Sequence, residues 1–368
     1  MKHAILSVTN DLYTDPRVDK VALFITRHGY EVTLVGRGYP DSPILAPRAY
    51  HTKRLHLLFR RGSLFYAEFN IRLFFYLLFR RCDVLIANDL DTLLPNFMVS
   101  RLRHKRLVYD SHEYFCGELS VVSNPRAFKV WSRIEHHCFP KLKTVITVSQ
   151  SIVNQYEKEY GIRPFLVRNI PPAAVPLITE TKASLGMPED KFILILQGNG
   201  INEGRGAEEL VQAMQYLTEA QLFIVGNGTV LPQLKEMVKE LKIEDKVTFV
   251  GRQNQDKLFN YTALADVGMA LDRDVSANLR FSLPNKIFEY IKAGTPLVVS
   301  NLIERAAIVK QYQVGVIAES LTPEAIAGAV EQLQRDPAKY ALCKQNCRLA
   351  AQQLTWENEE KVLEKIYS

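Results

Sequence analysis

Short apolar runs alternate with amphipathic stretches along the whole chain. In the first half the runs are Ala4–Val8, Val32–Val35, Val84–Ala87, Leu107–Tyr109 and Thr144–Val148. Such runs predict strands buried on both faces. Between them lie helical patterns such as Arg17–His28, closed by Gly29, which suits the left-handed position just past a helix. Around residue 169 the pattern breaks. Asn169-Ile170-Pro171-Pro172-Ala173-Ala174-Val175-Pro176 can continue neither a helix nor a central strand. The alternation then restarts with Phe192–Leu196, Leu222–Val225, Val247–Val250, Val267–Leu271 and Leu297–Val299. The reading is α/β: two Rossmann-like doubly wound domains, each a parallel sheet covered on both faces. The boundaries are 1–168 for the first domain, 169–190 for a linker and 191–350 for the second. A C-terminal helix at 351–368 returns toward the first domain. Ligands of such sheets bind beyond the carboxyl ends of the strands, so two facing domains predict a central cleft.

Composition narrows the class. A chain of 368 residues exceeds the roughly 250–300 over which a single core grows. With 47% hydrophobic and 23% charged residues it is an ordinary globular mixture, not a disordered chain. The five cysteines, Cys82, Cys116, Cys138, Cys343 and Cys347, form no CxxC pair. That argues against a disulfide framework or a cysteine zinc site and fits a reducing cytoplasm. Met1–Val8 is too short for an export-signal core, and Leu64–Phe79 is interrupted by Glu68, Asn70 and Arg72, so no spanning helix is expected. Charge is uneven: residues 1–170 hold 25 Lys and Arg against 15 Asp and Glu, whereas residues 171–368 hold 21 against 25. A basic first half favours an anionic partner.

The densest chemistry lies at Ser282-Leu283-Pro284-Asn285-Lys286-Ile287-Phe288-Glu289-Tyr290-Ile291-Lys292-Ala293-Gly294-Thr295-Pro296-Leu297-Val298-Val299. A polar turn opens a helix, Gly294 stops it and a buried strand follows. The helix start offers unpaired N–H groups and a positive dipole end, which favour phosphate. Lys286 in the first turn opposes the dipole, an arrangement that a bound diphosphate would relieve. Glu289 lies one turn on, where a carboxylate can accept from a ribose diol; pairing with Lys286 or Lys292 in water is the plain alternative. Gln197-Gly198-Asn199-Gly200-Ile201-Asn202-Glu203-Gly204-Arg205-Gly206 follows the strand Phe192–Leu196. Its glycines allow backbone N–H groups close to phosphates, and Arg205 can grip phosphate oxygens. The spacing fits neither a P-loop nor the dinucleotide fingerprint. Val225-Gly226-Asn227-Gly228 and Phe249-Val250-Gly251-Arg252 end two further strands.

The 282–299 segment resembles the donor-binding helix of GT-B glycosyltransferases, specifically the retaining, family-4-like enzymes. Glu289 matches the second glutamate of their Glu-x7-Glu pattern, which binds the nucleotide ribose. The first glutamate is replaced by Phe281, as in a Ser-Leu-Pro-Asn-Lys subgroup. The resemblance extends to 192–206 and 106–113. It implies a donor site of Gly200, Arg205, Gly226, Asn227, Gly251, Arg252, Ser282, Leu283, Asn285, Lys286 and Glu289, with Arg205 and Lys286 on the donor diphosphate. No metal and no further cofactor is implied beyond the co-substrate, a UDP- or GDP-linked sugar.

In the first half, Asp110-Ser111-His112-Glu113 follows the strand Leu107–Tyr109, where α/β sites form. A single local His and the adjacent His136-His137 lack zinc-ligand spacing, and no Gly-x-Ser-x-Gly elbow supports a hydrolase. The resemblance casts His112 as the catalytic group facing the donor sugar, with Asp110 and Glu113 at the acceptor. Asn10 and Asp11, in the first strand-to-helix loop, and Asp89, after Val84–Ala87, are further acceptor candidates. Asp15 is read as the cap of the Pro16-initiated helix, and capping is the plain alternative for Asp89.

From Arg48 to Arg81, eight Lys and Arg flank apolar and aromatic clusters, with Glu68 the one acidic residue. Clustered aromatics beside basic residues read as a membrane-surface element over 53–81 rather than a nucleic-acid platform. A core helix over Leu73–Phe79 is the plain alternative. Together these readings imply a hexosyl- or other glycosyltransferase acting on a polysaccharide or lipid-linked glycan acceptor. It would be cytoplasmic, peripheral on the inner face of the plasma membrane. A nucleotide-sugar epimerase of the same fold, or a non-catalytic membrane adaptor, would share most of the pattern.

Overall fold

The computed structural model describes residues 1–13 and 15–368; Thr14, within the first strand-to-helix connection, lies outside the described residues. The chain divides into two compact units. One comprises Met1–Asn169, Ser276–Asn278 and Glu359–Ser368, the other Ile170–Val275 and Leu279–Asn358. The first carries strands β1 (Lys2–Asp11), β2 (Tyr30–Gly38), β3 (His51–His56), β4 (Val84–Asn88), β5 (Arg106–Ser111), β6 (Val145–Thr147) and β7 (Phe165–Leu166). They form one sheet in the order β3-β2-β1-β4-β5-β6-β7, parallel throughout. Its helices are α1 (Pro16–Arg27), α2 (Gly62–Phe79), α3 (Leu90–Leu102), α4 (Leu119–Val122), α5 (Pro125–Cys138) and α6 (Gln150–Tyr160).

The second unit repeats the plan. Strands β8 (Phe192–Gly198), β9 (Ala220–Gly226), β10 (Val247–Gly251), β11 (Val267–Ala270), β12 (Leu297–Ser300) and β13 (Gly315–Ala318) are ordered β10-β9-β8-β11-β12-β13, again all parallel. The helices are α7 (Ala207–Ala213), α8 (Leu231–Glu240), α9 (Gln255–Leu264), α11 (Asn285–Ala293), α12 (Ile303–Tyr312), α13 (Pro323–Gln334) and α14 (Pro337–Gln353), while α10 (Ala277–Phe281) and α15 (Trp356–Tyr367) are each divided between the two units, Ala277–Asn278 and Glu359–Tyr367 belonging to the first. In both sheets the chain reverses winding beside the first strand of the unit, between β1 and β4 and between β8 and β11. In open parallel sheets, ligands bind beyond the carboxyl ends of strands at such reversals.

The apolar runs are the cores. Leu194, Leu196, Leu222 and Ile224 pack on one face of the second sheet, and Ile193, Ile195, Phe223 and Val225 on the other. The alternation shows why the runs are unbroken: with helices on both faces, every position is inside. Three strands escaped the sequence reading. β3 reads His-Thr-Lys-Arg-Leu-His, with Leu55 its one buried residue, because it is an edge strand. β7 has two residues, and β13 is an edge strand of four. β1 also outruns its apolar stretch: after a register shift it pairs Asp11 with Arg37, so Asn10 and Asp11 belong to the strand rather than to the following loop.

The aromatic helix α2 has two faces. Phe65, Phe69, Leu73 and Leu77 are buried against the sheet. Leu64, Ile71, Phe75 and Phe79 stay exposed, Phe79 at 77%. The core reading therefore holds for one stripe of the helix, and the other stripe is exposed.

Candidate functional site

In the second unit, the carboxyl ends of β8 and β9 are sewn together by glycines. Gly198 and Gly226 lie side by side in register. A Cβ on Gly226 would stand 1.8 Å from the Gly198 carbonyl oxygen, and one on Gly228 would stand 1.9 Å from that of Ile201. No side chain fits at either position. Backbone bonds from Asn227 N–H to the Gly198 carbonyl and from Ile201 N–H to the Asn227 carbonyl, both 3.0 Å, lock the two loops. Asn202 Oδ1 accepts from the Thr229 N–H at 3.0 Å and its hydroxyl at 3.1 Å.

Arg205 sits between Gly204 (φ +82°) and Gly206 (φ +70°). A Cβ on Gly206 would meet the Leu271 carbonyl at 1.9 Å, so the close approach to β11 requires glycine. The turn delivers the Arg205 guanidinium to Asp272, Nη1 to Oδ1 at 3.3 Å. Asp272 follows β11 and is 1% exposed. Its Oδ2 accepts from Nε (3.0 Å) and Nη2 (2.5 Å) of Arg305, a residue of α12 with no exposed surface. Arg305 also donates to the Leu279 carbonyl and the Ser282 hydroxyl, each at 3.0 Å.

Lys286 is the second residue of α11, whose N-cap position is Pro284 and bears no side-chain cap. The Lys286 Nζ lies 4.0 Å from the position of a Cβ on Gly198, so its ammonium reaches over the glycine loop. Burial lowers its pKa; Asp272 opposes this, and Arg205 and Arg305 add to it. Burial would raise the Asp272 pKa, but Arg305, Arg205 and Lys286 outweigh it and hold the carboxylate below its usual range. Three cations thus surround one buried carboxylate at an uncapped helix start, which leaves a positive excess suited to an anion. Glu289, one turn along α11, accepts from Gln197 Nε2 at 2.6 Å, while Gln197 Oε1 accepts from the Thr262 hydroxyl at 2.6 Å. That chain fixes the Glu289 carboxylate beside the end of β8.

Among the other expected donor residues, Ser282 serves Arg305, Leu283 is buried, and Gly200, Asn227, Asn285 and Arg252 are exposed. Gly251 ends β10 at φ +75°. Asp272, Arg305 and Gln197 were not anticipated. Arg305 did leave a trace, since it falls one turn before Ile308 and Val309 on the buried stripe of α12. A charge on an apolar stripe needs a partner.

In the first unit a second polar cluster forms at the carboxyl ends of β1, β4 and β5. Arg17 from α1 bonds the Asp110 Oδ1 at 2.7 Å and the Val167 carbonyl at 2.8 Å. His112 sits between two carboxylates: Asp89 Oδ2 is 3.4 Å from Nδ1, and Asp110 Oδ2 is 3.6 Å from Nε2. Asp89 Oδ1 also accepts the His112 backbone N–H at 2.7 Å. Asp89 occupies the N-cap position of α3 yet makes no capping bond, so its side chain belongs to the cluster and not to the helix. Its backbone stands at φ +59°, ψ +167°, a region that costs a non-glycine residue about 1–3 kcal/mol. Thr9 donates to Asp91 at 2.5 Å.

Burial pulls the His112 imidazole down, but Asp89 and Asp110 outweigh it and lift its pKa to about 9. Burial raises Asp91 to about 7, with Asp89 adding to it. It raises Glu113 to about 8, with Asp89, Glu118 and Asp91 adding. Asp89 is itself raised by burial, with His112 opposing. Glu113 faces Asn278, whose Nδ2 donates to it at 3.2 Å and to Glu118 at 2.5 Å. Asp15 accepts from Val18 N–H as the cap of α1, and also from Asn10 Nδ2 at 2.7 Å. The structure therefore brings Asp89, Asp110, His112 and Glu113 together, whereas Asn10 bonds to the cap residue Asp15. Asp11 instead pairs with Arg54 at 2.5 Å, away from that group.

Comparisons with known proteins agree on the class. Residues 17–174 match the model of the Glycosyltransferase Family 4, and residues 178–350 that of the Glycosyl transferases group 1. An uncharacterized glycosyltransferase of Methanocaldococcus jannaschii is 25% identical over 365 residues, covering 93% of this chain and 90% of that protein. A lipopolysaccharide core biosynthesis glycosyltransferase of Rhizobium meliloti is 26% identical over 165 residues, 45% of this chain and 46% of that protein. The solved structure of Anabaena HepE in complex with UDP-glucose superposes with a TM-score of 0.73 at 15% identity, over 100% of this chain and 99% of that one.

Proposed function

Since the chain belongs to the family-4-like glycosyltransferases of GT-B fold, we propose that it moves a sugar from a nucleotide-diphosphate donor to a hydroxyl acceptor with retained configuration. The bond broken joins the anomeric carbon to the diphosphate oxygen. The bond formed joins that carbon to the acceptor oxygen, and the acceptor proton leaves with the diphosphate. The observation that carries this reading is the convergence of Arg205, Lys286 and the uncapped start of α11 on the glycine loop after β8. Fixed positive charge there stabilises the leaving diphosphate as its charge develops, so no metal ion is required. Glu289, oriented by Gln197, is placed to accept from the ribose diol. HepE, a structural neighbour solved with UDP-glucose, supports the UDP-linked form of the proposed UDP- or GDP-linked donor.

The Asp89, Asp110, His112 and Glu113 cluster is assigned to the acceptor side. A cell-surface polysaccharide or lipid-linked glycan is the proposed acceptor, supported by the Rhizobium meliloti relative. The exposed stripe of α2, with Arg61, Arg80 and Arg81 at its ends, is assigned to the cytoplasmic leaflet of the membrane. Thermal unfolding with UDP, GDP, ADP and CDP tests the donor site, and NMR of the anomeric proton in the product tests retention. Stabilisation by one nucleotide, abolished in Lys286→Ala and Glu289→Ala, is expected. Turnover of the donor without any acceptor, giving an altered nucleotide sugar, would replace this reading with an epimerase. No stabilisation by any nucleotide would replace it with an adaptor.

A further inference from the structure

We propose that Asp89 is a positioning residue that, together with Asp110, clamps His112 so that both imidazole nitrogens act as hydrogen-bond donors. The inference deepens the proposed transferase reading and rests on it for the reaction His112 serves. Its geometric basis is independent of that reading.

Asp89 does two things at once. Its backbone N–H donates to the Asp110 carbonyl at 2.9 Å, tying the end of β4 to the end of β5. Its carboxylate grips His112 at the backbone N–H and faces the Nδ1 edge of the ring. Both depend on the backbone turning to φ +59° immediately after the strand, a conformation that glycine tolerates and aspartate does not favour. The Asp89 carboxylate makes no capping bond to α3 and is turned to His112 instead. From the opposite edge Asp110 Oδ2 faces Nε2, and neither atom has a hydrogen-bond partner among the described residues. The ring is thus bracketed on both nitrogen edges by carboxylates, and Nε2 is itself buried.

The charged groups around the ring come from every neighbouring element. Asp89 and Asp91 stand after β4, Asp110 ends β5, Arg17 projects from α1 onto Asp110, and Glu113 follows in the same loop. Arg17 opposes the protonated ring but is neutralised by Asp110. A clamped imidazolium donates and cannot accept. At neutral pH His112 therefore does not deprotonate the acceptor; it supplies a fixed positive charge to the polar cluster at the ends of β4 and β5. This also explains why two carboxylates flank it where a general base would need one.

The test is the titration of His112 followed by the 13Cε1 shift of labelled histidine, with the peak assigned from its loss in His112→Gln. The wild-type midpoint is expected near pH 9. In Asp89→Asn it should fall by at least about one pH unit, since a neutral amide keeps the contact but not the charge. In Asp89→Gly it should fall likewise, because the carboxylate is gone while the turn at φ +59° suits glycine. A purely structural aspartate would lower the unfolding temperature and leave the midpoint unchanged. A wild-type midpoint at or below 7, or one unmoved by either substitution, overturns the proposal. Stabilisation by UDP or GDP, measured on the same variants, should persist. Its absence in the wild type would sink the donor assignment while leaving the titration result standing.

Discussion

Replacing Lys286 by alanine should make the free protein more stable and the nucleotide-bound protein less so. Lys286 places a cation in the first turn of α11, against the helix dipole and within the field of Arg205 and Arg305. A charge at the wrong end of a helix costs about 0.3–1 kcal/mol, and its removal should return that amount. For a unit of this size the gain corresponds to about 1–4 °C in unfolding temperature. The loss appears on binding. A hydrogen bond to a charged group is worth about 1.5–3 kcal/mol, or roughly 10- to 150-fold in affinity. UDP or GDP at about 100 times its dissociation constant stabilises the wild type by about 2.7 kcal/mol, a rise of about 5–11 °C. At the same concentration a hundredfold weaker variant retains about 0.4 kcal/mol, or about 1–2 °C. Differential scanning fluorimetry reads both quantities in one experiment. The opposite signs are the discriminating feature, because a variant that misfolds lowers both. An apo unfolding temperature that drops with the ligand shift would make Lys286 a structural residue. A ligand shift of full size would mean that its ammonium does not touch the diphosphate.

Asp272→Ala should destabilise by about 3–5 kcal/mol in urea unfolding, because it strands the buried Arg305 beside Arg205 and Lys286. Adding Arg305→Met should recover part of that loss, and a double variant no better than the single one would show that the pair is not what Asp272 supports. Stability should also fall as pH rises from about 6.5 to about 9. His112 has its folded pKa raised, so its contribution is complete below 6.5 and lost through about 9. Asp91 and Glu113 keep protons in the folded state that the unfolded chain has released, so they act in the same direction up to about 7 and 8. Each group steepens the slope by up to about 1.4 kcal/mol per pH unit. Urea unfolding of wild type and of Asp91→Asn combined with Glu113→Gln measures it, and a flat wild-type profile would contradict the assigned shifts.

What the sequence made legible follows from how parallel sheets are built. Central strands such as Phe192–Leu196 are buried on both faces, so their apolar runs stand out. Edge strands carry no such mark, and His51–His56 shows none. The backbone half of the proposed donor site was legible for a related reason: a loop that must bring two strand ends within bonding distance has to spend glycines, and Gly198, Gly204, Gly206, Gly226 and Gly228 stand in the sequence as spacing. The charged half was legible only where a residue sits in a motif. Arg205 and Lys286 do; Asp272 and Arg305 lie 33 residues apart and meet only in the fold. Asp11 and Asp89 show the limit from the other side. Both are carboxylates at the carboxyl end of a strand in the same sheet, and local sequence offers each the same two roles. Arg54, brought alongside by the pairing of β3 on β2 and of β2 on β1, takes Asp11 out of the polar cluster. The turn at φ +59° keeps Asp89 in it. Which carboxylate remains available to a ligand is therefore decided by neighbours across the sheet and by one backbone angle. Neither quantity has a representation in the local pattern of residue types, whereas the position of the strand end does.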